Sequence, residues 1–237
     1  MNKKVVLITG AAKGIGAEVA KEFAKNGYQL ILHYFTSVDK VVKLKKELEI
    51  KYNTEVFLVK ADLSIELEIN NMIKEICNKF DRIDVLVNNA ALSMDCDILE
   101  KTKEQFIKVL EVNLIAPFLL VKKLSTVLEG GTVINISSTD ADDTGSSFSI
   151  DYCASKAGLN SLTKTLALAY PNIRICAVAP NWVKTEAILE MDPVYLENEL
   201  KRIGQKELIE PSVVAKKIME IVENKKIISG TIGRIEG

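Results

Sequence analysis

The feature that most constrains this chain is an alternation of short apolar runs with longer amphipathic stretches. Strand-like runs fall at Val5–Thr9, Leu30–Tyr34, Val56–Lys60, Val85–Val87, Thr132–Ser137 and Arg174–Val178. Between them, helical patterns cover Ile15–Asn26, Val38–Lys51, Leu67–Phe80, Lys103–Leu128 and Tyr152–Ala169. The Lys103–Leu128 stretch is expected to break before Pro117, because proline lacks the amide that a helix interior uses. The tail adds a helix over Pro211–Glu223 and a last strand near Thr231–Ile235. Strands alternating with helices imply right-handed crossovers and a parallel sheet. No repeat, low-complexity tract or linker divides the 237 residues, so one α/β domain over 1–237 is predicted.

Charge and cysteine usage narrow the class of function. The net charge is −1, with Lys and Glu interleaved, which argues against a nucleic-acid partner or a membrane surface. Cys77, Cys96, Cys153 and Cys176 are widely spaced without a CxxC pair, so free thiols are expected rather than disulfides or a metal site. The start runs directly into Lys3-Lys4-Val5-Val6-Leu7-Ile8, too short for a signal segment. No apolar run approaches the roughly 20 residues that span a bilayer. The chain therefore reads as cytoplasmic.

Two stretches carry chemistry. The first is the strand-to-helix junction Thr9-Gly10-Ala11-Ala12-Lys13-Gly14-Ile15-Gly16. Glycines there permit a tight turn, close approach of a pyrophosphate, and close packing of helix on strand. The helix start then offers free amides to phosphate. The second is Tyr152-Cys153-Ala154-Ser155-Lys156, where Tyr and Lys share a helix face at a spacing of four. A free phenol titrates near ~10 and is a poor acid–base group at neutral pH. An ammonium one turn away is expected to favour phenolate and lower that pKa.

Taken together, these stretches resemble the short-chain dehydrogenase/reductase family over nearly the whole chain. Thr9 to Gly16 is similar to its TGxxxGIG, Asn88-Asn89-Ala90-Ala91 to its NNAG, and Pro180 to Thr185 to its PGxxxT. Asp62-Leu63 sits where the family places an Asp against adenine. Asn113, Ser138, Tyr152 and Lys156 match its catalytic tetrad. The resemblance implies a Rossmann-type, doubly wound parallel sheet of about seven strands with helices on both faces. It also implies NAD(P)-dependent interconversion of a carbonyl and a secondary alcohol.

The departures are Ala91 for the last glycine of NNAG, Asn181 for the glycine of PG, and an acidic, serine-rich loop between Ser138 and Tyr152. Ala91 is expected to crowd the backbone near the cofactor. Asn181 is expected to keep the bend through a left-handed φ, which Asn tolerates. The loop reads about one residue longer than usual, so Ser137 and Thr139 are alternatives to Ser138, which is preferred as the second serine of Asn135-Ile136-Ser137-Ser138.

In the mechanism that the resemblance implies, nicotinamide gives hydride to a carbonyl carbon. Tyr152 donates the proton and Ser138 bonds the same oxygen, as an oxyanion-hole donor would. Lys156 lowers the Tyr152 pKa and holds the nicotinamide ribose, and Asn113 orders a water chain behind it. The implied cofactor contacts are Gly10, Lys13, Gly14, Ile15, Gly16, Thr36, Asp62, Leu63, Asn89, Ala90, Tyr152, Lys156, Pro180, Val183 and Thr185. His33-Tyr34-Phe35-Thr36-Ser37 lacks the acid that NAD-preferring members carry, and Lys13 adds a cation, so NADP(H) is favoured over NAD(H). His33, the only histidine, reads as a strand-end residue rather than a base or ligand.

Residues 184–204 read as a substrate lid, with Trp182, Val183, Ile188, Leu189, Met191, Tyr195 and Leu196 supplying apolar surface and Leu92 and Met94 the opposite wall. Length and layout resemble bacterial 3-oxoacyl-carrier-protein reductases, and Leu32-His33-Tyr34 is also similar to pteridine reductases. A small carbonyl or alcohol is the expected substrate. Surplus apolar residues on the Lys103–Leu128 and Tyr152–Ala169 helices, with the resemblance, imply a homotetramer or homodimer.

Overall fold

In the computed structural model, which describes residues 3–142 and 144–236, the apolar runs become a seven-stranded sheet in the order β3-β2-β1-β4-β5-β6-β7. The strands are β1 (Val5–Ile8), β2 (Gln29–Tyr34), β3 (Val56–Lys60), β4 (Val85–Asn88), β5 (Thr132–Ile136), β6 (Arg174–Pro180) and β7 (Ile232–Ile235). Every neighbouring pair is parallel. The helices are α1 (Gly14–Lys25), α2 (Val38–Tyr52), α3 (Glu66–Lys79), α4 (Lys103–Leu110), α5 (Ala116–Leu124), α6 (Ile150–Ala169), α7 (Glu186–Leu189), α8 (Pro193–Ile203) and α9 (Pro211–Glu223).

Side chains alternate across each strand, so β1 feeds two cores. Val6 and Ile8 join Val19 and Phe23 of α1, Leu44 of α2 and Ile218 of α9 on one face. Leu7 joins Met72 of α3, Leu120 of α5 and Leu166 of α6 on the other. β1 is wholly buried because helices cover both its faces. Each such side chain contributes about 1.5–3 kcal/mol on burial. None of the helices among the described residues is long and apolar enough to cross a membrane.

Strand order reverses at the centre of the sheet: β2 and β3 follow on one side of β1, and β5, β6 and β7 follow on the other side of β4. The carboxyl ends of β1 and β4 open a crevice there, and the glycine-rich junction and Asn88–Ala91 both empty into it.

The break predicted before Pro117 is a single wider turn, Glu111–Ile115, between α4 and α5. The Ala116 amide reaches back five residues to the Glu111 carbonyl. The helix ends at Leu124, four residues earlier than its pattern suggested. α6 begins at Ile150, two residues ahead of Tyr152. Within residues 184–204, Asp192 separates α7 from α8 by accepting the Tyr195 amide at 2.8 Å.

Candidate active site

The glycine-rich junction is held by contacts that leave no room for side chains. Gly10 has φ +61°, and a Cβ there would lie 2.9 Å from the Ala90 Cα. A Cβ on Gly16 would lie 2.4 Å from the Gly10 carbonyl oxygen and 2.6 Å from Asn89 Nδ2. Asn89 Nδ2 donates to the Thr9 and Gly10 carbonyls at 2.9 and 3.0 Å. Thr9 Oγ1 accepts from the Asn89 and Ala90 amides at 2.9 and 3.0 Å. Ala90 is thus the residue against the loop. Ala91, the residue that departs from NNAG, is exposed.

α1 starts at Gly14 with no side-chain cap from Lys13, so its first amides are available to an anion. This uncapped helix start beside a backbone-only turn fits a dinucleotide pyrophosphate. Around it lie the other expected contacts. Ile15 packs at the edge of the core. Lys13 and Thr36 are exposed. Thr185 faces Gly14, where a Cβ would meet its Cγ2 at 3.2 Å. Pro180 ends β6, paired with Ile235, and Val183 is buried in a bridge to Ile209. Leu63 is buried, while Asp62 accepts from the Ser64 amide and hydroxyl at 2.9 and 2.7 Å.

His33 supports the junction from beneath, a role its lone position in the sequence did not signal. It is 2% exposed. Its Nδ1 accepts from the Gly10 amide at 3.1 Å, and its Nε2 lies 3.0 Å from the Ala61 carbonyl. That pairing requires the neutral ring with the proton on Nε2. Burial, opposed by the Ala61 bond and the Asp62 charge, pushes its pKa down from 6.5 to about 4.

The four tetrad residues converge at the carboxyl ends of β4 and β5. Asn113 sits in the wider turn and is its one buried residue, four positions past buried Val109 of α4. Its Oδ1 accepts from the Leu92 amide at 2.8 Å. Its Nδ2 donates to the Leu92 carbonyl at 2.9 Å and to Ser155 Oγ at 3.0 Å. Ser155, buried one turn past Tyr152, donates to the Tyr152 carbonyl at 2.6 Å. Lys156 is 2% exposed, donates to the Ile136 carbonyl at 2.7 Å, and has its Nζ 5.3 Å from the Tyr152 ring centroid.

Ser138 lies two residues past β5, its Oγ accepting the Asp140 amide at 3.1 Å, and its side chain is close enough to the Tyr152 hydroxyl to pull that group's pKa down. Ser137 and Thr139 are engaged elsewhere: Ser137 Oγ donates to the Lys156 carbonyl at 3.4 Å, and Thr139 Oγ1 accepts from Thr144 at 3.2 Å.

The electrostatics differ from the sequence reading. Lys156 was expected to lower the Tyr152 pKa. Burial instead raises it well above the ordinary phenol range, the Asp140 charge adds to the rise, and the Ser138 bond pulls it partly back. Lys156 is itself buried, which pushes its own pKa down to about 8. Its ammonium is spent on a backbone carbonyl rather than on the phenol oxygen.

A buried ion pair anchors this end of α6. Lys101 and Asp151, 5% and 0% exposed at the side chain, lie 2.8 Å apart. Asp151 also accepts from the Tyr152 amide at 2.9 Å, and Lys101 also donates to the Met94 carbonyl. Removing one partner of such a pair generally costs about 3–5 kcal/mol. Fifty residues separate the two, so no local pattern announced the pair.

Asn181 was expected to hold a left-handed φ, yet among the described non-glycine residues only Asn53 has a positive one. The Asn181 amide donates to the Ile235 carbonyl at 2.9 Å, so the chain simply continues the β6 ladder there. Its buried Oδ1 has no hydrogen-bond partner among the described residues. It lines a polar cavity of about 390 Å³ together with Thr144, Arg202, Gln205 and Arg234. None of the four tetrad residues lines that cavity.

Residues 4–193 match the family described as short chain dehydrogenase. The chain belongs to the short-chain dehydrogenase/reductase family. It is accordingly an oxidoreductase. Its relatives include the 3-oxoacyl-[acyl-carrier-protein] reductase FabG of Staphylococcus epidermidis, 30% identical with 100% of this chain and 98% of that protein covered. The 3-oxoacyl-[acyl-carrier-protein] reductase of Synechocystis is 34% identical over 87% of this chain and 86% of its own. Among solved structures, a dehydrogenase/reductase from Sinorhizobium meliloti superposes with a TM-score of 0.92 at 28% identity, covering 100% and 95% of the two chains. The angucycline C-6 ketoreductase LanV with bound NADP gives 0.89 at 26% identity, covering 98% and 93%.

Proposed function

We propose that this protein is an NADP(H)-dependent reductase of a small ketone, with a 3-oxoacyl thioester as the first substrate to test. The observation that carries the reading is the convergence of Asn113, Ser138, Tyr152 and Lys156 beside a glycine turn shaped for a pyrophosphate. The FabG relatives and the NADP-bound ketoreductase structure support the substrate class and the cofactor.

Gly10, Gly14, Ile15 and Gly16 would hold the pyrophosphate, Asn89 and Ala90 would shape the floor beneath it, and Asp62 and Leu63 would face the adenine. Lys13 and Thr36 would meet a 2′-phosphate. Pro180, Val183 and Thr185 would flank the nicotinamide, which when bound exchanges hydride with the substrate carbon.

The chain's own residues handle the proton. A phenol with a raised pKa stays protonated at neutral pH, so Tyr152 holds the proton that carbonyl reduction consumes. Ser138 Oγ stands beside that hydroxyl and is placed to donate to the same carbonyl oxygen. With a pKa of about 8, Lys156 is still largely cationic at pH 7 and can stabilise the phenolate left after transfer. Asn113 fixes Leu92 and, through Ser155, the Tyr152 carbonyl.

Residues 184–204 would act as the lid. α7 and α8 contain no buried residue, and Tyr195 reaches Phe148 of the acidic loop edge-on at 6.1 Å. We also assign a homodimer or homotetramer. Leu114, Ile115 and Phe118 with Leu162 of α6 line an apolar surface groove that a second copy would cover.

NADPH oxidation with ketones, quinones, 3-oxoacyl thioesters and pterins tests the reading, using wild type and Tyr152→Phe. Turnover should appear with at least one substrate and fall about 10²–10⁴-fold in the variant, with cofactor affinity nearly unchanged. No turnover with any substrate, or activity in the variant within tenfold of wild type, would sink it.

A further inference from the structure

Lys40 is the third residue of α2, three positions past Ser37 on the shoulder of β2. Its ammonium bonds the carboxylate of Glu186, the first residue of α7, 146 positions away. α2 stands beside Thr36 and Ser37, while α7 follows Thr185, which rests against Gly14 of the glycine turn. The pair therefore ties the first turn of α2 to the first residue of α7, next to the threonine that rests on the glycine turn. Lys13 lies on the same carboxylate's horizon: the Glu186 carboxyl is held below the usual range first by Lys40 and, further down, by Lys13. Cations from two separate segments thus converge on one anion, next to the strand end where a cofactor's 2′-substituent is read.

We propose that Lys40 is a second reader of the NADP(H) 2′-phosphate and that Glu186 is an internal competitor with that phosphate for it. This inference rests on the NADP(H) reading given above. A dianionic phosphate offers Lys40 more charge and more acceptor oxygens than a carboxylate. The carboxylate in turn lies on the first turn of the lid, so transfer of Lys40 to phosphate releases α7 from α2. NADH brings no such phosphate and leaves the Lys40–Glu186 contact in place. Cofactor discrimination and freedom of the lid root are joined through one lysine.

Both side chains are about half exposed, at 49% and 52%, so each step is small. Titration of nicotinamide fluorescence with NADPH and with NADH, on Lys40→Met, Glu186→Gln and the double variant, reads it directly. Circular dichroism confirms that each variant is folded. Lys40→Met should weaken NADPH about tenfold and leave NADH within about twofold. Glu186→Gln should tighten NADPH about two- to fivefold by removing the competitor, again without moving NADH. In the Lys40→Met background the gain from Glu186→Gln should fall below about twofold. Equal effects on both cofactors, or a gain that survives loss of Lys40, would overturn the inference. If wild type prefers NADPH and neither variant changes that preference, the inference alone fails. If wild type binds NADH as tightly as NADPH, the cofactor reading fails and takes the inference with it.

Discussion

Acid should loosen this protein through His33. Its folded pKa of about 4 lies below its ordinary value of 6.5. Between those values the unfolded chain binds a proton that the native chain refuses. Stability contributed by neutral His33 is therefore complete above pH 6.5, declines as pH falls, and is gone near pH 4. The gap of about 2.5 pH units corresponds to roughly 3 kcal/mol. The structural cause is specific. A protonated Nδ1 would aim an N–H at the Gly10 amide it now accepts from, in a site with 2% exposure. Carboxylates titrate in the same window, so the measurement is a difference. Urea unfolding of wild type and His33→Gln between pH 4.5 and 7.5 should show wild type losing roughly 2–3 kcal/mol more than the variant on acidification. NMR of the single imidazole should report the Nε2–H tautomer and a midpoint far below 6. A midpoint near 6.5, or parallel pH profiles for the two proteins, would show that His33 does not brace the glycine turn.

Three further outcomes follow from the site and its surroundings. Lys13→Ala should weaken NADPH by about tenfold to a hundredfold and NADH far less, as measured by fluorescence titration; equal losses would remove Lys13 from phosphate reading. Light scattering at micromolar concentration should give a dimer or tetramer, reverting toward monomer when Phe118, in the apolar groove, is changed to Glu; a monomeric wild type would exclude the assembly. Proteolysis at Lys184, Lys201 or Arg202 should slow on addition of NADPH; cleavage that is slow throughout and indifferent to cofactor would make residues 184–204 a fixed element.

The fold was legible because its determinants are periodic and local. A four-residue run such as Val5–Ile8, apolar on both faces, can only be covered on both sides, and intervening helices supply the cover. The glycine turn was legible because Gly10 and Gly16 occupy positions where a methyl group would strike backbone. The tetrad positions were assigned through the family resemblance, and the structure brings those four residues together. What escaped were pairings between distant segments. Nothing near His33 in sequence points to Gly10 or Ala61, and nothing near Lys101 points to Asp151. The Tyr152 pKa was misjudged for a related reason. Helical spacing places a lysine nearby, but only the packed structure shows that its ammonium faces the Ile136 carbonyl and that Asp140 is close. Asn181 was misread because a residue type that tolerates a left-handed φ need not adopt one.

The wider turn at Glu111–Ile115 sets a limit on how this chain can change length. The Ala116 amide bonds the carbonyl five residues back rather than four, so the turn holds one residue more than an α-helix would. A one-residue deletion there would restore regular spacing and look harmless to the helix itself. It would also rotate α4 against α5 by about 100°, the advance of one residue at 3.6 per turn. Either Asn113 would swing away from Leu92 and Ser155, or the face of α4 that packs on α6 would turn to solvent. Substitutions can be absorbed one side chain at a time, but this phase error cannot be shared out. Drift in helix length is therefore permitted at the Leu124 end, and forbidden across the five residues that carry Asn113.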